Sequence, residues 1–249
     1  MITKRHCEEP SRFAQDKLRD VAISGILLID KPAGPTSFRV VSKIKRHFNL
    51  KKVGHGGTLD PFATGLLVIL IGKSTKTSAT FLEHDKTYEG VIALGKETDT
   101  YDITGKVINE IAVEDISEAK IKQVFKSFEG LTEQRPPLFS AIKVNGKKAY
   151  ELARQGKEVE LKKRDVNIYF FKVVKVRLPK INFATKVSKG TYIRSLAHDI
   201  GVKMGTGACL EELRRTSSGD FSIKDAFKLE DVLKWSRVEL ESNLRSGKS

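Results

Sequence analysis

The stretch GHGGTLDP, residues 54–61, combines residue types that could carry out chemistry. Three of its eight residues are glycine, and the carboxylate of Asp60 stands directly before Pro61. Pro61 disfavours helical geometry at Asp60, whereas the glycines permit close approach of another backbone or of a nucleotide. With an ordinary pKa of about 3.9, an aspartate is ionised at neutral pH and can act as nucleophile, base or ion-pair partner. A purely structural turn is an equally good interpretation of the spacing alone.

Two apolar segments flank this stretch and predict the elements that position it. SGILLID at 24–30 predicts a buried strand, and ATGLLVILIG at 63–72 predicts another, with one helical turn before it. Between them we predict a helix capped by Thr36 or Ser37. Its apolar residues recur every three to four positions: Phe38, Val41, Ile44 and Phe48.

The other patterns mix strands and helices without strict alternation. Strands are predicted at 86–95, 166–178 and 181–187. Helices are predicted at 74–84, 116–128, within 189–205, at 229–241, and in a short segment that ends at Gln155-Gly156 after an Asn145-Gly146 turn or hairpin. This mixture predicts an α+β fold with a mixed or largely antiparallel central sheet flanked by helices. We expect an N-terminal arm or tail at 1–22 and one domain over 23–249.

The chain is strongly basic. Its 249 residues carry a formal net charge of +14, with 39% hydrophobic and 31% charged residues. This composition is typical of a globular protein, and the excess of basic residues favours a polyanionic partner, most commonly nucleic acid. An acidic membrane surface would instead require a basic amphipathic helix with a large apolar face, and no clear one is found.

The sequence gives little support to other kinds of site. Cys7 and Cys209 are too few for a disulfide framework and fit a reducing cytoplasm. The N-terminus lacks an apolar leader, and the longest apolar run, at 66–71, is too short to span a membrane. The five histidines form no metal-binding motif, and Leu67 stands where a phosphate-binding loop ending at 72–74 needs glycine. We therefore expect a soluble, cytoplasmic protein without metal or cofactor.

Segments along most of the chain resemble the tRNA pseudouridine synthases that act on the T-loop uridine, position 55 of tRNA. They occur in the family's order over about residues 24–223: GILLIDKPAGPTS, GHGGTLDPFATGLLVILIGKSTK, DKTY, PPLFSAIKVNGKKAYELARQG, SKGTYIRSLAHDIG and LRRTSSGDF. The resemblance implies the pseudouridine synthase fold, with an active-site cleft across the sheet. It also implies an isomerase that flips the uridine out, breaks its glycosidic bond and rejoins the base through carbon 5.

The resemblance implies roles for individual residues. Asp60 matches the catalytic aspartate, and Arg194 matches the arginine that pairs with it, keeping it ionised and oriented. Tyr88 matches the tyrosine that stacks on the target base and is placed to help remove the carbon-5 proton. His55 matches a histidine that contacts the flipped region of the RNA, and Leu213 matches an apolar residue near the base pocket.

The implied substrate-binding set is completed by Lys31, Gly57, Thr58, Leu59 and Tyr192. For Lys31 two roles are open, because its amine could support the active-site framework or meet a phosphate. Without the resemblance, Tyr88 would be an ordinary strand aromatic, Arg194 a surface arginine and Leu213 a core leucine.

The T-stem-loop of tRNA is the partner that the resemblance implies, and we expect a monomeric enzyme with no metal and no membrane contact. Flipping a uridine costs a few kcal/mol, which phosphate contacts from basic side chains can offset. Candidate contacts are Lys43, Lys45, Arg46, Lys51, Lys52, Lys143, Lys147, Lys148, Lys162, Lys163, Arg164, Arg214 and Arg215. We expect only part of this set to touch RNA, because clustered charges are more often solvated surface.

The chain departs from the family pattern in two ways. Gly56 stands where threonine or another small residue is common, and we expect this small change in volume to be tolerated. Many relatives also carry a C-terminal RNA-binding PUA module, for which too few residues follow DFSIKDA. We therefore expect RNA binding to rest on the catalytic domain, which disfavours the guide-RNA-dependent relatives.

Two alternative functions are consistent with the same features. A tRNA-binding folding chaperone, with incidental catalysis, would be supported by the basic surface alone. A synthase for ribosomal or messenger RNA would share the motifs but modify other uridines.

Overall fold

A computed structural model describes residues 23–113, 116–144, 146–156 and 160–246, so the predicted arm at 1–22 lies outside the described residues. The strands are β1 (Gly25–Lys31), β2 (Val53–His55), β3 (Thr64–Ile71), β4 (Lys86–Leu94), β5 (Lys96–Thr98), β6 (Val107–Glu110), β7 (Gly130–Gln134), β8 (Lys143–Val144), β9 (Lys147–Lys148), β10 (Arg164–Arg177), β11 (Lys180–Val187), β12 (Ala208–Ser218), β13 (Phe221–Ser222) and β14 (Phe227–Lys228). The helices are α1 (Ser37–His47), α2 (Ser78–Glu83), α3 (Glu118–Lys126), α4 (Ala149–Arg154), α5 (Ile193–Met204), α6 (Leu229–Val232) and α7 (Arg237–Ser242).

One large mixed sheet organises the molecule. Its strand order is β14-β1-β3-β12-β4-β11-β10-β7, with β2 paired to β3 and β13 paired to β12. The β1–β14 and β3–β12 pairs are parallel, and the other pairs are antiparallel. The predicted α+β class and largely antiparallel sheet are therefore confirmed.

The strands β1 and β3 are apolar on both faces because the sheet is covered on both sides. Leu27 and Leu67 belong to the main core, whereas Leu28 and Leu66 belong to a second cluster that includes Phe81. Neighbouring residues of one strand thus point into different cores, which explains why both segments are continuous apolar runs rather than alternating ones. The paired central strands β1 and β3 are therefore well packed, and β3 begins directly after the Asp60 loop.

One residue of helix α1 does not lie on the buried face where the apolar spacing predicts it. Its buried positions are Ser37, Val40, Val41 and Ile44, so the apolar stripe begins at Ser37. The side chain of Phe38 therefore lies off that stripe and is 74% exposed. Thr36 forms the predicted cap, because its hydroxyl accepts a hydrogen bond from the backbone N–H of Arg39.

Three other predicted boundaries were wrong. The helix predicted at 229–241 is divided into α6 and α7, because Ser236 starts a new helix through a capping box with Glu239. The helix predicted at 74–84 begins as a 3₁₀ helix over Gly72–Thr77 and becomes α-helical only at Ser78. The turn before β3 is not helical, since residues 60–63 have no helical assignment.

The predicted turn at 145–146 joins the paired strands β8 and β9. Gly146 has φ +82, the left-handed geometry that favours glycine, while Asn145 lies outside the described residues. Among the residues that the structure describes, no helix is long and apolar enough to cross a membrane.

Candidate active site

The loop that carries Asp60 is fixed from β12 by the buried side chain of Arg215. Its guanidinium donates hydrogen bonds to the carbonyl oxygens of Gly57 (3.1 Å), Thr58 (3.3 Å) and Leu66 (2.7 Å). The side chain is only 2% exposed. One cation therefore satisfies carbonyls that would otherwise be buried without a partner, and it ties the loop to the centre of the sheet.

The same loop is held from its other side by the start of α1. The hydroxyl of Ser37 donates to the carbonyl of Leu59 (3.1 Å) and accepts from its backbone N–H (2.8 Å). The next carbonyl, that of Asp60, accepts from the N–H of Ala63 at 3.2 Å. Every carbonyl from Gly57 to Asp60 thus has a donor, which leaves the Asp60 backbone little freedom.

Lys31, at the end of β1, completes this framework. Its amine donates to the carbonyls of Pro32 (2.8 Å) and Pro61 (3.2 Å), and the residue is fully buried. Burial lowers the pKa of Lys31 to about 8, with the Asp60 carboxylate opposing and Arg215 adding to the shift. This geometry fits the framework role, and it leaves no exposed surface for a phosphate contact.

Arg194, in the first turn of α5, forms a two-point ion pair with Asp60. Its Nε lies 2.9 Å from Oδ2 of Asp60, and its Nη2 lies 3.2 Å from Oδ1. The same guanidinium donates to the carbonyls of Thr100 and Phe139, both at 3.0 Å. The Arg194 side chain is 5% exposed, so the interpretation of a surface arginine is wrong.

Asp102 is a member of this cluster that the motifs had not indicated. Its Oδ2 lies 3.4 Å from Nη1 of Arg194, on a side chain that is 6% exposed. Its Oδ1 accepts hydrogen bonds from the hydroxyl of Thr100 (3.0 Å) and the N–H of Thr104 (3.0 Å). The sequence signal was the polar run TDTYDITG at 98–105, in which threonine hydroxyls stand beside a buried aspartate.

Opposing effects set the ionisation of Asp60. Burial raises the pKa of its carboxyl above the ordinary value, and the nearby charge of Asp102 adds to that increase. The guanidinium of Arg194 and the amine of Lys31 act in the opposite direction and lower the pKa of Asp60. The carboxylate therefore depends on Arg194 to stay ionised in a desolvated setting.

Asp60 and Arg194 line a cleft of about 730 Å³, which we call the Asp60 cleft. Other predicted residues that line it are Thr58, Leu59, Tyr88, Tyr192 and Leu213. Phe38, Asp102 and Lys148 also border it. Seven predicted residues are thus brought together in a space of the size that small-molecule and nucleotide sites have.

Tyr88 and Leu213 enter this cleft from neighbouring strands. Tyr88 lies on β4, where it pairs with Thr185 of β11 and Arg215 of β12. Leu213 lies on β12 opposite Gly90. Both side chains are buried, at 8% and 7% exposure, yet each reaches the wall of the cleft. An aromatic ring and an aliphatic group therefore border the space in front of Asp60.

His55, Gly57 and Lys31 are not among the residues that line the cleft, although all three lie near Asp60 in sequence or space. The Nδ1 of His55 accepts a hydrogen bond from the N–H of Gly57 at 3.3 Å, which places the ring proton on Nε2. Burial lowers the pKa of His55, and the charge of Arg215 adds to this effect. His55 is therefore neutral at pH 7, and it shapes the turn that precedes Asp60.

Tyr192 is positioned by Gln134, a second residue that sequence reasoning missed. The amide of Gln134 accepts from the Tyr192 N–H (2.7 Å) and donates to the Tyr192 carbonyl (3.0 Å). The guanidinium of Arg164 lies over the Tyr192 ring, 4.7 Å from its centroid. These contacts fix the start of α5 and therefore the position of Arg194.

One member of the predicted RNA-contacting set, Arg215, is contradicted by the structure. Arg215 is buried in the loop framework and has no surface to offer to RNA. Its neighbour Arg214 is half-exposed and pairs with Asp30 at 2.7 Å. Lys148 is exposed at the edge of the Asp60 cleft, next to Tyr150.

Phe81 fills the space beside Gly56. A Cβ atom at position 56 would lie 2.6 Å from the Cβ of Phe81, whose side chain is 1% exposed. The volume that a threonine would occupy is therefore taken by an aromatic ring from α2. Within the described residues, no cluster of three or more His, Cys, Asp or Glu side chains could hold a metal ion.

Comparison with known proteins adds independent information. The family described as "TruB family pseudouridylate synthase (N terminal domain)" matches residues 45–193. This match covers more than half of the chain. The chain belongs to the TruB family of pseudouridylate synthases. The family described as "tRNA pseudouridylate synthase B C-terminal domain" matches residues 194–246. The predicted enzyme class, an isomerase of this family, is confirmed.

Individual TruB-family proteins are similar over most of this chain. The tRNA pseudouridine synthase B of Opitutus terrae is 43% identical over 89% of this chain and 92% of its own length. That of Endomicrobium trichonymphae is 49% identical over 84% of this chain and 91% of its own. That of Clostridium tetani is 48% identical over 84% of this chain and 73% of its own.

Solved structures confirm the pseudouridine synthase fold. A chain of the "Cbf5-Nop10-Gar1 Complex" is 32% identical with a TM-score of 0.72, covering 92% of this chain and 62% of that one. A chain of the "H/ACA RNP bound to a substrate RNA containing 2'-deoxyuridine" is 31% identical with a TM-score of 0.67. The match covers 92% of this chain and 59% of that one. This TruB-family chain thus spans about three fifths of those larger chains.

Proposed function

We propose that this protein converts the T-loop uridine at position 55 of tRNA to pseudouridine, with Asp60 as the nucleophile. The observation that carries the proposal is the carboxylate of Asp60, held at two points by the buried guanidinium of Arg194 at the wall of a nucleotide-sized cleft. The names of the similar proteins from Opitutus terrae and Clostridium tetani support tRNA as the substrate.

The chemistry requires only groups that this chain supplies. Asp60 attacks the flipped uridine or its ribose as the bond between N1 and C1′ breaks. The base then turns, C5 bonds to C1′, and the bond to Asp60 breaks, which returns the free carboxylate. The C5 proton leaves and N1 takes up a proton. Product and substrate have the same atoms, so no cofactor is consumed. Arg194 keeps the nucleophile ionised, and Tyr88 stacks on the base and helps to remove the C5 proton.

The remaining site residues have supporting roles in this proposal. Thr58, Leu59, Tyr192 and Leu213 bound the base and ribose from the walls of the Asp60 cleft. His55, Gly57 and Lys31 hold the loop, with His55 also near enough to the surface to meet the flipped region of the RNA.

We also propose that residues 23–249 act as one catalytic domain and that the enzyme is a cytoplasmic monomer. The segment matched by the second family model contributes β12, which pairs with β3 and β4 from the first. A single sheet spanning both segments supports one cooperative unit.

The test is to map pseudouridine in an unmodified tRNA transcript after incubation with the protein. We expect modification at position 55 of the T-loop, and none in a transcript that carries cytidine there. Matched incubations with ribosomal and messenger RNA fragments address the alternative substrates. Modification of those fragments in preference to tRNA, or of another tRNA position, would refute the proposal.

A further inference from the structure

Tyr101 has a strained backbone conformation next to the active site. Among the described residues, only Tyr101 and Asn49 are non-glycine residues with positive φ, at +64 and +50. This left-handed region is unfavourable for residues with a side chain, and asparagine tolerates it better than tyrosine does. Surrounding contacts must therefore hold Tyr101 in place, and residues held in this way cluster at functional sites.

The strained residue stands between two groups that contact one nitrogen of Arg194. The carbonyl of Thr100 accepts a hydrogen bond from Nη1 of Arg194 at 3.0 Å. Oδ2 of Asp102 lies 3.4 Å from the same nitrogen. Because Tyr101 connects Thr100 to Asp102 in the chain, its backbone angles decide whether both groups can face Arg194 together.

The ring of Tyr101 is held by a stack on His198. The two ring centroids are 4.0 Å apart, and the ring planes are 10° from parallel. His198 lies four residues after Arg194 in α5, and residues at this spacing share one face of a helix. The same face of α5 thus contacts segment 100–102 in two places, through the guanidinium of Arg194 and through the ring of His198.

Strand β12 holds the same segment through its backbone. The carbonyl of Tyr101 accepts a hydrogen bond from the N–H of Leu210, and the carbonyl of Leu210 accepts one from the N–H of Ile103, both at 2.9 Å. These bonds join the segment to the sheet, whereas the stack joins it to α5. Neither Tyr101 nor His198 lines the Asp60 cleft, so neither ring borders the space in front of Asp60.

We propose that Tyr101 is a positioning residue of the active site. Its stack on His198 holds segment 100–102 against Arg194. This contact sets the direction in which the guanidinium meets Asp60. The proposal rests on the proposed function, because it assumes that Asp60 needs this guanidinium for catalysis. Tyr101 acts through Arg194 and touches no reacting atom.

The test replaces Tyr101 with glycine and with phenylalanine. Glycine adopts the left-handed region without strain, so Tyr101→Gly permits the same backbone conformation and removes only the ring, whereas Tyr101→Phe keeps the ring. The matched control is Asn49→Gly, which also introduces glycine at a left-handed position and lies outside the Asp60 cleft. Single-turnover release of tritium from T-stem-loop RNA labelled at uridine C5 is measured against RNA concentration.

The rate of Tyr101→Gly at saturating RNA should fall about 10- to 100-fold, because a small displacement of a catalytic group is costly. The RNA concentration that gives half of the maximal rate should stay unchanged. Tyr101→Phe and Asn49→Gly should keep the wild-type rate, and thermal unfolding verifies that each variant is folded. A wild-type rate in Tyr101→Gly, or an equal loss in Tyr101→Phe, would overturn the proposal.

His198 provides an independent check of the stack. His198→Ala should lose as much rate as Tyr101→Gly does. The double variant should lose no more than either single variant, because both changes remove the same contact. Losses that add in the double variant would show that the two rings act separately, contrary to the proposal.

The position of Arg194 can also be followed without RNA. The Nε–H signal of Arg194, assigned by its absence from Arg194→Lys, is measured by NMR. We expect this proton to exchange with water faster in Tyr101→Gly and His198→Ala than in the wild type and Tyr101→Phe. Equal exchange in all four proteins would contradict the positioning role. Because this comparison does not depend on activity, a wild type that releases no tritium would refute the proposed function alone.

Discussion

Replacing Arg194 with glutamine removes the group that keeps Asp60 ionised. The variant loses the two-point ion pair with Asp60 and the interaction with Asp102. Asp60 and Asp102 then share the site with only the amine of Lys31 as a nearby compensating cation. Because the guanidinium lowers the pKa of Asp60, its loss raises that pKa further.

The cost of removing Arg194 depends on how deeply its ion pair with Asp60 is buried. Removing one partner of a buried ion pair costs about 3–5 kcal/mol. Since the Asp60 side chain is 32% exposed, water screens part of this cost and the lower end of the range applies. Loss of a preorganised electrostatic contact in an active site lowers kcat by about 10²–10³, so we expect a rate about 100-fold lower at neutral pH. The free energy of unfolding should fall by about 3 kcal/mol as well. Arg194→Lys should lose less, because it keeps the charge but not the two-point geometry.

The assay is single-turnover release of tritium from RNA labelled at uridine C5, measured against pH, with thermal unfolding to verify that each variant is folded. The nucleophile must be a carboxylate, so activity falls as pH drops through the pKa of Asp60. Arg194→Gln should move this acidic limb to higher pH. Asp102→Asn should move it to lower pH, because it removes a neighbouring negative charge. An acidic limb that stays in place in both variants would refute the reasoning.

Three further predictions concern the framework and the cleft edge. Arg215→Met should lower the free energy of unfolding by about 3 kcal/mol, because it leaves two buried carbonyls and one part-buried carbonyl without their donor. Arg214→Met should cost about 1 kcal/mol or less. Thermal unfolding measures both losses, and equal losses would contradict the assigned roles. Phe38→Ala should raise the KM for T-stem-loop RNA by about 5- to 150-fold with kcat unchanged, since one base–aromatic stack contributes about 1–3 kcal/mol. The control is Val238→Ala, which also changes an exposed apolar side chain. A KM for Phe38→Ala equal to that of the control would argue against stacking. Gly56→Thr should destabilise the protein by about 1–3 kcal/mol through overpacking against the Cβ and ring of Phe81. Thermal unfolding measures this loss, and a neutral Gly56→Thr would show that Phe81 moves freely.

Sequence patterns predicted the elements that have strong periodicity or clear end signals. β1, β3 and α1 were found because long apolar runs and a helical stripe leave few alternatives. The division of the last helix was missed, since the Ser236 cap lies inside a segment whose apolar spacing continues across it. Phe38 was assigned to the wrong face because a shift of one residue in the stripe also satisfies the spacing.

A site residue could be predicted where a short stretch of neighbouring residues indicates its chemical role. Asp60 was found in that way, and Tyr88 and Arg194 were found through the family resemblance. Asp102, Gln134 and the buried role of Arg215 were not, because each depends on contacts between residues more than 50 positions apart. A buried arginine and an exposed one are indistinguishable in a sequence when they stand side by side, as Arg214 and Arg215 do.

The most direct test of the central claim compares wild type with Asp60→Asn, which removes the carboxylate while nearly conserving its shape. Binding of T-stem-loop RNA and release of tritium from uridine C5 are measured on the same samples. We predict that both proteins bind the RNA and that only the wild type releases tritium. Release by Asp60→Asn at a rate close to that of the wild type would contradict the assignment of the nucleophile. Binding by the wild type without any release would instead favour the chaperone.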